Sequence, residues 1–495
     1  MNRRQFLTAT AVAGGGLSGL YTFGNGSDLS AATLANKPRL KMPSLLDTRQ
    51  TKTAELVAQK GSSTFIGNAA NQTFGFNQPY LGPTLVLENG DFNPVVKNQL
   101  SRPISVHWHG LLVRGEHDGG PHIPVTKGQE WRPEMLVNQA PATLWYHTHI
   151  HQQTAHDVHK GLAGIIHLTD GRDDDRGLPN TYGVDDVTLV LQDRRFDDRG
   201  FVSYELSMPD LMHGFTGETM LINGQYGAVC STPKGIARLR LVNGSNARIY
   251  SLFFEDQRDF QLIATDAGFL DQPQPLTKLP LAPGERAEIL VDFSSGQPAM
   301  LMSDGDPNQG PGGMMGRMRG MVDLFVDRSI SILPFAVDEQ LPTRITSFPD
   351  QLEGPGISLR EQDVIQTRSL SLDMGMMGMM GGGGGGGGFA INGESFDMRR
   401  INLEVALGTT EKWRVQTTML SHPFHIHGAI FKVLSEEGNA PLKHNTGFKD
   451  TVLVRDQTEL LVRFDHPASQ QNPFMYHCHI LEHEDAGMMG QFTVS

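Results

Sequence analysis

Cys478 lies between two histidines, His477 and His479, with His483 five residues beyond it and Met488 ten beyond it. A thiolate, imidazoles and a thioether at these spacings suit a trigonal His2Cys copper site with a weak axial Met. On a strand, successive side chains point to opposite faces. Cys478 would then face one metal while His477 and His479 face another, with one short stretch of backbone between them. Three further His-x-His pairs supply more imidazoles: His107 with His109, His147 with His149, and His425 with His427. Both members of each pair would project from the same face of a strand. With His477 and His479 they make eight imidazoles, enough for a three-metal cluster. His422, three residues before His425, need not share its face and is the natural second imidazole for Cys478. A lone His-x-His is commonly a surface or structural pair. Structural zinc favours four closed ligands, often several cysteines, and this chain has only Cys230 and Cys478.

The stretches HWHG (107–110), WYHTH (145–149), HPFHIHG (422–428) and HCHILEHEDAGMM (477–489) resemble those of the multicopper oxidases, most of all bacterial periplasmic cuprous oxidases and laccases. GPTL near 82, DGGP at 118 and GLAG at 161 extend the resemblance over nearly the whole mature chain. The resemblance implies four coppers per chain. A type 1 copper would take His422, Cys478, His483 and Met488; a type 2 copper would take His107 and His425. A type 3 pair would take His109, His147, His149, His427, His477 and His479, with His151 left as a nearby polar residue. Electrons would pass from a one-electron donor through Cys478 to His477 and His479, and dioxygen would leave as two waters. That reduction consumes four protons, and the resemblance makes Asp118 and Glu484 their relay, a task suited to carboxylates beside buried metals.

The elements that position these residues read as all-β: three cupredoxin-like Greek-key β-sandwich domains. The length of 495 residues suits about three domains. Short β-rich segments recur between Gly, Pro, Asn and Asp punctuation, and no long amphipathic helix stands out. Residues 36–172 are expected to form the first domain, 173–335 the second and 336–495 the third. In the first, the segments 85–88, 104–109, 131–137, 144–147 and 164–169 read as strands. The second holds no histidine where its copy of the ligand region would fall (242–252), so it reads as a spacer. Ile222-Asn223-Gly224 returns as Ile391-Asn392-Gly393, a faint internal repeat. The shared cluster would take four histidines from the first domain and four from the third, and so would lie between them.

Asn2-Arg3-Arg4-Gln5-Phe6-Leu7 and the Ala/Gly-rich stretch after it resemble a twin-arginine export signal, here residues 1–35, and imply a periplasmic protein handled by that machinery. The apolar stretch is too short and too Gly-rich for a membrane helix. A net charge of −13 argues against nucleic acid as a partner. The chain is expected to act as a monomer.

Met374, Met376, Met377, Met379 and Met380 precede eight consecutive glycines in an insert spanning 374–388, and Met314, Met315, Met318 and Met321 form a second patch. Thioethers select Cu(I) and methionine adapts to many shapes, so the first patch, with Met419, reads as a lid that collects Cu(I) as substrate. The cuprous oxidases that the chain resembles carry an aspartate four residues before the type 1 histidine, where this chain has Thr418. Cu(I) is the expected donor; phenols or other small organic donors are the alternative. A non-enzymatic periplasmic protein on the same scaffold, structural, division-associated or copper-binding, is the competing class; retention of ten histidines, Cys478 and Met488 argues against a structural role, and copper storage would leave the eight paired histidines unexplained.

Overall fold

A computed structural model describes residues 29, 31–305, 329–375, 388–417 and 419–495. The export-signal residues Arg3 and Arg4, the patch Met314–Met321, Thr418, and Met376, Met377, Met379 and Met380 lie outside the described residues.

Among the described residues the chain builds three pairs of larger β-sheets, each closed over its own apolar core, as expected for three cupredoxin-like sandwiches, and one two-stranded sheet of Gly90–Phe92 with Met135–Val137. The first centres on Leu56, Phe76, Trp108 and Tyr146, the second on Leu239, Tyr250, Leu262 and Phe335, and the third on Trp413, Phe424, Tyr476 and Phe492. The longest helix among the described residues, Thr154–Lys160, has 7 residues, and none is long and apolar enough to cross a membrane. Small apolar clusters join the units. Trp145 and Ile165 meet Val190 and Val242, Ala155 and Val158 meet Leu481, and Ile249 and Ala282 meet Leu453.

The site depends on a five-stranded sheet of the third unit. Its central pair, His422–Ile426 and Phe474–Cys478, runs antiparallel with His425 opposite His477 and Phe424 opposite Cys478. Both strands are buried at every position. Period-two alternation explains this: Phe424, Ile426, Phe474, Tyr476 and Cys478 enter the third core, while His425 and His477 turn to the opposite face. His422 has the parity of Phe424 and therefore falls on the Cys478 side.

The segment 104–109 differs from the strand expected there. It makes only isolated bridges, Ile104 with Val125 and His107 with His147. It does so because Gly119 (φ 82°) follows the short helix Gly115–Asp118, and a Cβ there would sit 1.8 Å from the Val106 carbonyl oxygen. The backbone of that turn occupies the place of a ladder partner. The expected strand 131–137 is likewise two pieces, Glu130–Trp131 and Met135–Val137, with Pro133, which lacks an N–H, between them. The second unit ends on Ile330–Val337, which pairs with Ala299–Ser303 and Cys230–Thr232. Its edge also bridges Arg39 to Val229. Cys230 and Cys478 are both buried and free.

The three-residue echo is a true structural repeat. At Asn223 and Gly224 φ is 52° and 71°, and at Asn392 and Gly393 it is 54° and 74°. Two successive positive φ values define a type I′ hairpin turn, which Asn-Gly favours. Asn223 Oδ1 accepts from the Val190 N–H, and Asn392 Oδ1 accepts from the Ser371 N–H in the same way.

Candidate metal centres

Three of the four His-x-His pairs straddle the ends of their strands, and the fourth, His107 and His109, lies in the bridged segment 104–109. His147 ends Ala142–His147, His425 lies next to the end of its strand, and His477 precedes the last residue of Phe474–Cys478. His149, His427 and His479 follow just past the ladder, with ring separations within pairs of 4.9 to 5.9 Å. All eight rings are buried, at no more than 1% exposure, and converge between the first and third sandwiches. His107 Nε2 lies 3.4 Å from His425 Nε2, and His477 Nε2 lies 3.3 Å from His149 Nε2 and 3.2 Å from His427 Nε2. The triads His107–His425–His427, His107–His109–His147 and His149–His427–His477 each bring three ligand atoms close enough to hold one ion.

The second nitrogen of most rings is pinned. His107 Nδ1 donates to the Asp118 carbonyl (3.1 Å), His147 Nδ1 to that of Thr148 (2.9 Å), His425 Nδ1 to that of Asp450 (2.9 Å) and His477 Nδ1 to that of Cys478 (3.0 Å). His427 Nδ1 donates to the Asp118 carboxylate (2.7 Å). His109 is reversed: its Nε2 meets Asp450 Oδ1 (3.1 Å) and Thr451 Oγ1 (3.2 Å). This is how metal-ligating histidines are held, one nitrogen fixed and the other presented. Among the described residues His109 Nδ1, His147 Nε2 and both nitrogens of His479 are buried without a hydrogen-bond partner. A buried polar atom left unpaired costs about 1–3 kcal/mol, so these atoms fit ligands of copper. Burial, reinforced by neighbouring histidines, holds His109, His149, His425, His427 and His479 well below the usual imidazole range. His477 is pushed down to about 3, chiefly by burial. The rings are therefore neutral, which is the ligating form.

On the opposite strand face, the ligand atoms of His422, Cys478 and His483 lie within 4.8 Å of one another. His422 Nδ1 is 3.4 Å and His483 Nδ1 3.8 Å from Cys478 Sγ. Met488 is buried in the core cluster that holds Cys478. Its backbone accepts from the Cys478 N–H (3.1 Å) and donates to the His483 carbonyl (2.9 Å). The backbone of Met488 is thus tied to both Cys478 and His483. His483 Nε2 does not open to solvent, since it donates to the Met212 carbonyl of the second sandwich (3.1 Å), and Phe389 stacks on the ring (4.4 Å).

Asp118 and Glu484 both reach the eight-histidine cluster. Asp118 joins His107 through its carbonyl and His427 through its carboxylate. The Glu484 oxygens are 3.3 Å from His477 Nδ1 and 3.5 Å from His149 Nδ1. Burial first, and Asp485 second, raise Glu484 well above the usual carboxylate range. His151 belongs to none of these sets and packs edge-on against Phe396. Met374 packs against the third core and is paired with Phe389, the ring that stacks on His483, and Met419 is 44% exposed.

Sequence reasoning missed the residues that act at one remove. Glu482 accepts from Tyr204 Oη (2.7 Å), Asn246 Nδ2 (2.8 Å) and the Phe215 N–H (3.0 Å), and Asp485 accepts from the Thr154 and Ala155 N–H groups. The EHED run was the available signal, four polar residues in a buried turn. Asp450, Thr451 and Arg286 had no such signal. The second sandwich, expected to be a spacer without ligands, supplies none of the histidines but does supply Met212 and Arg286 to the two centres.

An all-β chain of three sandwiches, with a thiolate–imidazole set joined through one strand to an eight-imidazole cluster at a domain boundary, defines a copper-binding oxidoreductase scaffold. Multicopper oxidase family models match residues 57–173, 143–310 and 367–495, and the chain belongs to the multicopper oxidase family. It is 39% identical to the bacterial laccase-like multicopper oxidase CueO from Ochrobactrum sp., described as having oxidase activity towards lignin model compounds and lignosulfonate, with a TM-score of 0.84 over 92% of this chain and 100% of that one. A laccase from Pediococcus acidilactici is 30% identical, with a TM-score of 0.78 over 93% of this chain and 94% of that one. The cell division protein FtsP of Rahnella sp. (strain Y9602) is 35% identical over 100% of this chain and 99% of its own length.

Proposed function

We propose that this chain is an exported, periplasmic oxidase that binds four coppers and couples one-electron oxidation of a donor, Cu(I) foremost, to reduction of dioxygen to water. The observation that carries the reading is the strand Phe474–Cys478. Cys478 faces His422 on one side and His477 faces His149 and His427 on the other. His422, Cys478, His483 and Met488 would hold a type 1 copper, and His107 and His425 a type 2 copper. His109, His147, His149, His427, His477 and His479 would hold a type 3 pair. Bound copper supplies one-electron oxidation of the donor and four-electron reduction of dioxygen.

The protein's own groups do the rest. Carbonyls and Asp118 fix the rings, neutral imidazoles meet the metals, and burial excludes bulk water. Asp118 and Glu484 hold protons within reach of the cluster. On the donor side, the Met212 carbonyl and the Phe389 ring cover His483. This disfavours stacking of a flat phenol on that imidazole, and the nearby thioethers of Met374 and Met419 favour Cu(I). Twin-arginine export, with Arg3 and Arg4 as its mark, would account for a folded protein crossing to the periplasm.

A second reading, oxidation of phenols, draws support from the Ochrobactrum relative. A third, a division protein without oxidase activity, draws support from the FtsP relatives, and the complete ligand set opposes it. Oxygen uptake by the copper-loaded mature protein, with Cu(I) and with a phenolic donor in parallel, separates the three. Faster turnover on Cu(I) supports the proposal. Strong phenol turnover with little on Cu(I) shifts it to a laccase, and no uptake at full copper loading favours the scaffold role. Deleting residues 374–388 is expected to lower Cu(I) oxidation more than phenol oxidation, and equal losses would remove the case for a copper-collecting segment.

A further inference from the structure

We propose that Arg286, on the second sandwich, is a positioning residue for the eight-histidine centre, holding Asp450 so that His109 presents Nδ1 and His425 presents Nε2. The inference rests on the reading of that centre as a copper cluster. Arg286 is 1% exposed and opens the strand Arg286–Asp292. Its guanidinium grips Asp450 in a two-pronged pair, Nη1 to Oδ1 at 2.7 Å and Nη2 to Oδ2 at 2.6 Å. Its remaining hydrogens go to the carbonyls of Thr143 (3.2 Å), Gly284 (3.1 Å) and Asp266 (2.9 Å). Every N–H of the fork is therefore used, and all three sandwiches meet at this one side chain.

Asp450 transmits this grip to two ligands. Its Oδ1 takes the His109 Nε2 proton (3.1 Å) and its carbonyl takes the His425 Nδ1 proton (2.9 Å). Thr451 Oγ1 donates to the same Oδ1 at 2.8 Å. A neutral imidazole has one N–H, so a donor at Nε2 leaves the lone pair at Nδ1. His109 Nδ1 is the nitrogen that is buried and without a partner. The surroundings are shaped for the pair. At Gly110 (φ 92°) a Cβ would come within 2.6 Å of Arg286 Nη2 and 2.9 Å of Asp450 Oδ2. At Gly284 (φ 84°) it would meet the His479 ring at 2.7 Å. The second sandwich thus touches three of the eight ligands by way of Arg286 and its turn.

Arg286→Met and Arg286→Lys, compared with the wild type after copper loading, test this by copper content per chain and by the electron paramagnetic resonance of type 2 copper. The type 1 absorption serves as an internal control, because Cys478 lies on the other face of its strand. Both variants are expected to keep that absorption. Both should show an altered type 2 signal and copper affinity at the histidine cluster lowered about 10–100-fold, as for other outer-shell partners. Lysine restores the charge but cannot form the planar fork, so it should not rescue the signal. A native type 2 signal and copper content in either variant overturns the proposal, as does joint loss of the type 1 and type 2 signals in Arg286→Lys, which would mean a general folding role. Should Arg286→Met fail to fold, Arg286→Lys decides alone. A wild type that takes up no copper at the histidine cluster sinks the underlying reading instead.

Discussion

A neutral imidazole offers a metal one lone pair, and which nitrogen carries it depends on where the other nitrogen's proton goes. Here that proton goes to a backbone carbonyl in His107, His147, His425 and His477 and to a carboxylate in His427 and His109. Asp118 orients His427, and the proposed relay would give it a second task, passing protons. Asp118→Asn separates them, because an amide oxygen still accepts from His427 Nδ1–H but the amide cannot relay a proton. Reoxidation of the donor-reduced protein by dioxygen should slow by about 10²-fold or more, while the donor bleaches the type 1 colour as fast as before. An unchanged reoxidation rate would remove Asp118 from the relay. Cys478→Ser should abolish the blue absorption and turnover and spare the fold, and a variant that stays blue would refute the thiolate assignment. The convergence of these histidines was legible in the sequence because alternation fixes which face a histidine takes. Their outer partners were not: Asp450 reaches His109 across 341 residues, a distance at which no local pattern survives.

The short elements carry the positioning. Helix Leu481–Asp485 holds His483 and is tied to the second sandwich through Glu482 and to the first through Asp485. Helix Met208–His213 places the Met212 carbonyl on His483, and it is held by a capping box between Ser207 and Asp210 and by Arg195 on Asp210 (2.9 Å). Asp210→Ala removes the side-chain half of the capping box, which accepts from the Ser207 N–H (2.8 Å), together with the ion pair, and leaves the Ser207 cap itself in place. The helix should then release His483, and kcat/KM for a bulky phenol should rise several-fold with the type 1 absorption intact. No change in phenol turnover would show that the helix does not govern donor access. The strands expected at 144–147 and 164–169 are found at Ala142–His147 and Ala163–Leu168. The strand expected at 104–109 is not formed: Trp108, Val106 and Ile104 alternate like a strand, but the turn at Gly119 takes the partner's place.

At the scale of the molecule, the three sandwiches enclose nine candidate-ligand histidines, among others, whose proton affinity burial has lowered. His109, His147, His149, His425, His427, His479 and His483 lie well below 6.5, and His422 and His477 fall to about 3. Between pH 6.5 and about 3 the unfolded chain therefore binds more protons than the folded one. Stability is greatest above 6.5 and falls as pH falls, by about 1.4 kcal/mol per pH unit for each proton of difference. Six carboxyls act in the opposite sense, since burial raises Asp185, Glu285, Asp450, Glu482, Glu484 and Asp485. Asp485, pushed up to about 7, keeps a proton in the fold that the unfolded chain has released, and that contribution is lost as pH rises toward 7. The nine histidines outweigh these six. The urea midpoint of the copper-free protein should thus drop continuously from pH 6.5 to 4. Copper competes with protons for the same nitrogens, so saturating copper should hold the midpoint up until acid displaces the metal. A metal-free midpoint that stays level or rises over that interval would show that the histidines take up protons inside the fold, and that the interface between the first and third sandwiches opens to admit them.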